Sequence, residues 1–199
     1  MNATTLAPEP VNSPPAEVED RELTERFARG DRQAFEQLVD RYQKRVAGLA
    51  ARLLGWTDGA EDVTQEVFLA AYRHQKRFRG QASLWTYLAT ITVNRCRTTM
   101  RRRWLRERVF GQVVSQPSRS AGEVAGDIKL ACDETAQQVR AVVAKLPASS
   151  REVIVLHYLE ELLVAEVADV LQIKRNAVEV RLTRARKLLA TSLSHLAYE

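Results

Sequence analysis

Cysteine is scarce in this 199-residue chain. Cys96 and Cys132 are the only two, in no CxxC pair and beside no histidine cluster. A disulfide framework and a structural zinc site both need more ligands at closer spacing, so neither is expected. Long apolar runs are missing as well. None approaches the roughly 20 residues that span a bilayer, so membrane insertion is not expected. The first twenty residues hold four acids and no base, the reverse of a basic signal-peptide start, and a cytoplasmic location is expected. Histidine is rare, at three (His74, His157, His195), and neither a nucleophile motif nor a glycine-rich phosphate loop occurs. No catalytic residue, cofactor or metal is assigned, and the chain is not expected to be an enzyme. The alternating pattern of half-buried strands is absent too, and so is any internal repeat.

Charge is abundant and unevenly spread. Thirty bases face 25 acids, for a net +5. Residues 1–20 hold −4, so the remainder holds +9. Arg95 to Arg108 contains seven arginines and one acid, and Lys174 to Lys187 six bases and one acid. One such stretch is equally well a solvated helix face. Two, in separate helical segments, point to phosphate and nucleic acid.

Residues 1–19 contain four of the six prolines and no apolar period, and read as a disordered tail. A helical pattern runs from Asp20. Asp31 is a candidate N-cap, after which Phe35, Leu38, Val39, Tyr42, Val46, Leu49, Leu53 and Leu54 keep the i, i+3, i+4 rule to Gly55. Asp58 with Glu61 resembles a capping box. Ser83 caps a further helix that runs into the arginine cluster. Residues 111–132 lack an apolar stripe and read as a flexible linker. The chain therefore divides into a tail (1–19), a first domain (20–110), the linker and a second domain (133–199). In the second, Val139, Val142, Val143 and Leu146 form a stripe stopped by Pro147, and Ser149 with Glu152 suggests another capping box. The fold class is all-α: two small helical domains on a tether.

Residues 163–186 have the spacing of a helix-turn-helix. Ala168 permits close approach of the two helices, and Val167, Leu171, Ile173, Val178 and Leu182 fill the space between them. The second helix presents Lys174, Arg175, Asn176, Glu179, Arg181, Thr183, Arg184 and Lys187 outward, side chains that read base edges and phosphates. In the first domain Glu61, Asp62, Gln65 and Glu66 form one acidic face opposite Val63, Val67 and Ala70, suited to a basic protein surface. Phe78, Gln81, Ser83, Asn94 and Thr98 supply ring, amide and hydroxyl groups. Arg79, Arg95, Arg97, Arg101, Arg102 and Arg103 supply cations. Trp85, Leu88 and Ile91, at helical spacing, are core candidates.

Leu146-Pro147 followed by Arg151-Glu152-Val153, Leu156 and Tyr158, and then Arg181-Leu-Thr-Arg184-Ala-Arg-Lys187-Leu-Leu, resembles domain 4 of bacterial sigma factors. More narrowly it is similar to the extracytoplasmic-function (ECF) group of the sigma-70 family. Ala60-Glu61-Asp62-Val-Thr-Gln65-Glu66-Val-Phe68 and Phe78-Arg79-Gly80 through Asn94 resemble domain 2 of the same group.

The resemblance implies an alternative sigma factor that directs core RNA polymerase to promoters. Glu61, Asp62, Gln65, Glu66 and Phe68 would dock on the polymerase β′ clamp helices. Phe78, Arg79, Gln81, Ser83, Asn94, Arg95, Thr98, Arg101 and Arg102 would take and open −10 DNA. Lys174, Arg175, Asn176, Glu179, Arg181, Thr183, Arg184 and Lys187 would read −35 DNA, with domain 4 on the β flap. An anti-sigma partner is common in the group. The departures are Gln172, where the family's turn has a small residue, and Glu179 and Val180, where it often has a base and a serine. The alternative is a free-standing helix-turn-helix regulator, which leaves the acidic face and the arginine-rich helix unexplained.

Overall fold

The computed structural model describes residues 15–55, 58–78, 80, 82–110 and 133–196. Every regular element among them is helical, as the missing strand pattern requires. Helix α1 (Pro15–Ala28) starts ahead of Asp20. Proline suits a first turn, where the N–H has no intrahelical acceptor anyway. Helix α2 (Arg32–Leu54) opens as the sequence suggests: the Asp31 carboxylate accepts from the N–H groups of Gln33 and Ala34 at 2.8 and 3.4 Å. It closes on Gly55 at φ 78°, a left-handed position that glycine occupies without strain. Its buried stripe includes Leu38, Tyr42, Val46, Leu49 and Leu53.

Helix α3 (Ala60–His74) departs from expectation at its start. The N-cap is Gly59, with no side-chain cap. Asp58 therefore lies one residue too early, and the Asp58–Glu61 capping box does not form. Glu61 and Asp62 still complement the positive end of the helix. A 3₁₀ turn (Gln75–Arg77) leads to Phe78 and then to α4 (Leu84–Phe110). Ser83 caps α4 as expected, its Oγ accepting from the Thr86 N–H at 3.0 Å. Trp85 and Leu88 are core residues, and Ile91 packs partly buried against them. An aromatic cluster of Phe27, Phe78 and Tyr87 closes one end of this half, with centroids 4.7 to 6.2 Å apart. Tyr42 stacks on Trp85 at 6.1 Å.

The second half consists of α5 (Asp133–Lys145), α6 (Ala148–Ile154), α7 (Val164–Leu171) and α8 (Arg175–Leu196). The Ser149–Glu152 capping box is also not formed. The helix begins at Ala148 after Pro147, without a side-chain cap, and the Glu152 carboxylate is turned to Arg97 instead. After α6 the backbone widens over Val155–Leu159, where the Glu160 N–H donates to the Val155 carbonyl at 3.0 Å. Helices α7 and α8 form the helix-turn-helix. Gln172 in the turn is left-handed (φ 56°, ψ 45°). Ala168, Val167, Leu171, Val178 and Leu182 are buried between the two helices, with Ile173 partly buried beside them.

The two halves are packed on one another. Helix α4 lies against α7, and α2 lies against α5 and α6. Buried apolar residues of both form one continuous core. The linker (111–132) and the first fourteen residues lie outside the described residues.

Candidate functional site

The acidic face of α3 is built as its spacing dictates. Val63, Val67 and Ala70 are buried, while Glu61, Asp62 and Gln65 are exposed. Glu66 is half-buried, and its carboxylate accepts from Arg95 of α4 at 3.3 Å. Phe68, which the resemblance places among the docking residues, is 7% exposed in the core. At i+2 from Glu66 it falls on the inward side of the helix. Leu69 and Tyr72 are the large apolar groups that α3 exposes.

Helices α3 and α4 border an open cavity of about 350 Å³ lined by Ala70, His74, Tyr87, Ile91, Asn94, Arg95 and Thr98. This is the low end of the range for small-molecule sites. Asn94, Arg95 and Thr98 are thus brought together as the sequence suggests. His74, Tyr87 and Ile91 were missed as walls, because they come from the facing helix or from core-patterned positions. The Tyr87 hydroxyl is buried without a hydrogen-bond partner, and burial raises its pKa. His74 Nδ1 is 2.9 Å from the Ala70 carbonyl. The Thr98 hydroxyl donates to the Asn94 backbone carbonyl at 2.9 Å, and Asn94 is exposed.

Phe78 does not offer a free ring. It is 8% exposed and sandwiched by Phe27 and Tyr87, so the stacking role assigned from sequence passes to the core. Ser83 is exposed, though its hydroxyl is committed to capping. Arg101 and Arg102 project from α4 into solvent. Arg79 and Gln81 lie outside the described residues.

On α8 and the turn before it, Lys174, Arg175, Asn176, Glu179, Thr183, Arg184 and Lys187 are exposed and Arg181 is half-buried. None of these bases forms an ion pair among the described residues. The helix thus carries an uncompensated positive strip with one carboxylate, Glu179, and one exposed valine, Val180. Among the described residues no cluster of ligands could hold a metal, and no helix is long and apolar enough to cross a membrane.

A helix-turn-helix half and a half with an arginine-rich helix beside an acidic face define a transcription-factor architecture. Residues 38–106 match Sigma-70 region 2, and residues 136–189 match Sigma-70, region 4. The chain is 31% identical to the RNA polymerase sigma-H factor of Pseudomonas aeruginosa, over 91% of this chain and 97% of that protein. It is 32% identical to the ECF RNA polymerase sigma factor SigW of Bacillus subtilis, over 84% and 93%. Among solved structures, CnrH in complex with the cytosolic domain of CnrY superposes with a TM-score of 0.64 at 29% identity, covering 88% of this chain and 97% of that one. The chain belongs to the ECF sigma factors of the sigma-70 family. That places it among transcription-initiation factors rather than known enzymes.

Proposed function

We propose that this sigma factor works in the cytoplasm by a division of labour. Its first domain (20–110) docks on the β′ clamp helices of core RNA polymerase and opens −10 DNA. Its second (133–199) binds the β flap and reads −35 duplex. The observation that carries the reading is the separation of two surfaces on one helical pair. Glu61, Asp62 and Gln65 are exposed on α3, while Asn94, Arg95 and Thr98 line the cavity that α3 shares with α4. One chain can therefore hold a basic protein surface and a nucleic acid together. The cavity suits one unstacked base, and flipping a base costs a few kcal/mol that stacking and hydrogen bonds must offset. Arg101 and Arg102 then neutralise flanking phosphates. In the second domain α8 enters the major groove, with Arg175, Asn176 and Glu179 at base edges. Glu179 can accept from a cytosine amine but repels phosphate, which favours a −35 element with cytosine at that step. An anti-sigma partner would compete for these faces.

Size-exclusion chromatography with sigma-free core RNA polymerase tests the reading. Stoichiometric co-elution is expected, and Asp62→Ala with Gln65→Ala should weaken it at least tenfold. A chain that stays free of the polymerase, or a double variant that co-elutes like the parent, would sink it.

A further inference from the structure

The two halves meet through charge as well as through apolar packing. The Arg97 guanidinium of α4 makes two parallel hydrogen bonds to the Glu152 carboxylate of α6, both 2.7 Å. The Glu160 carboxylate, after the π turn, accepts from Arg45 Nε of α2 at 3.2 Å and from Arg52. The Arg45 guanidinium also sits over the Trp85 ring, 3.9 Å from its centroid. Arg151 is buried against Gly55 at the end of α2. The acids are almost completely covered, with side chains 7% and 2% exposed, whereas the arginines keep 36 to 44%. The second half thus presents two desolvated carboxylates to a three-arginine surface on the first. Arg97 stands on α4 at i+3 from Asn94 and i−4 from Arg101, so this surface continues the face assigned to −10 DNA.

We propose that Glu152 and Glu160 stand in for DNA phosphates. They close the free chain by occupying Arg45, Arg52 and Arg97, and these three arginines become a phosphate-binding surface when the halves part. The inference rests on the −10 reading above. Bidentate arginine recognises carboxylate and phosphate with the same fork, so one guanidinium serves either occupant. Removing one partner of a buried ion pair leaves the other charge unpaired, so loss of the two carboxylates weakens a seam that apolar packing also holds. The latch is electrostatic and directional, and its competitor is a polyanion.

Full-length chain is compared with Glu152→Gln/Glu160→Gln, which keeps side-chain shape and removes the charges. Glu161→Gln/Asp169→Asn is the control, with the same charge change at exposed positions outside the latch. Small-angle scattering without DNA reads closure, circular dichroism reads folding, and anisotropy with a labelled random single strand reads binding across a salt series. The latch variant is expected to stay helical, to expand, and to bind several-fold more tightly than the control. Its slope of log K against log salt should steepen by roughly 2, which is about 0.7 for each of three added phosphate contacts. Arg45→Gln/Arg52→Gln/Arg97→Gln in the same background should abolish that increment. Should the Gln pair fail to fold, Arg97→Glu alone should expand the chain, and Arg97→Glu with Glu152→Arg should close it again. A latch variant as compact as the parent overturns the closure, and an expanded variant with the control's salt slope overturns the phosphate surface. Expansion with no binding by either chain shows instead that the −10 reading has failed, and the proposal falls with it.

Discussion

Single side chains carry chemistry that their neighbours decide. Cys96 is 1% exposed on α4, and its thiol donates weakly to the Ala50 carbonyl at 3.9 Å. Burial, with the Glu152 carboxylate nearby, pushes its pKa up to about 12. The thiolate is the reactive form, so at pH 8 almost none exists. Iodoacetamide at that pH, followed by peptide mass spectrometry, should leave Cys96 unmodified in the native chain and label it fully in guanidinium. Native labelling on the timescale of an exposed thiol would contradict the packing of α4 on α2. Its neighbour Arg97 has its pKa raised by the hydrogen bonds to Glu152, while burial lowers that of Arg151. A guanidinium keeps its charge in proteins, so the Arg97–Glu152 contact is a charged pair at working pH.

At the scale of the helix, end signals were legible where they were local. Asp31 and Gly55 both do what their residue types suggest, because the groups they serve lie within a few residues. Asp31 also holds the Arg26 guanidinium at 2.8 Å, a contact that lowers its pKa. A depressed carboxylate stabilises the fold above its unfolded pKa, and that share is lost as pH falls through the folded value. Asp31→Ala should lower the urea midpoint at pH 7 and lower it less at pH 3, where part of the carboxylate's share is already lost. An equal cost at both values would leave the ionised cap without a role.

The two capping boxes misread from sequence failed for different reasons. Asp58 was displaced by a glycine that starts the helix one residue later. Glu152 was claimed by Arg97, 55 residues away, a partner that no window on the sequence can see. The helix-turn-helix was legible from its apolar spacing, whereas the left-handed backbone of its turn was not assigned. There Gln172 offsets part of its backbone strain by donating from Nε2 to the Asp169 carbonyl at 2.7 Å. Gln172→Gly relieves a strain of about 1 kcal/mol but loosens the unfolded chain by about 0.4–1 kcal/mol and removes that bond. Stability should therefore change by less than about 1 kcal/mol in either direction, measurable as a small shift of the urea midpoint. A gain above about 1 kcal/mol would mean that the left-handed strain exceeds this figure and that the side-chain bond offsets little of it.

For the whole molecule, the sequence separates the two domains well and says little of how they sit. Exposed residues such as Arg175, Glu179 and Arg184 follow from helical period alone. The cavity walls at His74 and Tyr87 and the Arg45–Glu160 contact, 115 residues apart, depend on tertiary packing. That packing has a thermodynamic signature. A core continuous across both halves makes the chain melt as one unit, so calorimetric and van't Hoff enthalpies should agree. Gly55 and Gly59 provide a matched test, because both have φ near 80°. An alanine at either pays a left-handed strain of about 1–2 kcal/mol. The added Cβ at Gly59 meets nothing within 4 Å, whereas at Gly55 it falls 2.1 Å from Nη1 of Arg151. Arg151 is 8% exposed, and its guanidinium tip must swing aside within the seam to clear that methyl. Gly59→Ala should therefore lower the melting temperature and keep a single transition. Gly55→Ala should lower it further and split the endotherm in two, with a van't Hoff enthalpy well below the calorimetric one. Identical single transitions in both variants would mean that Arg151 is free to move and that the two halves are not joined through it.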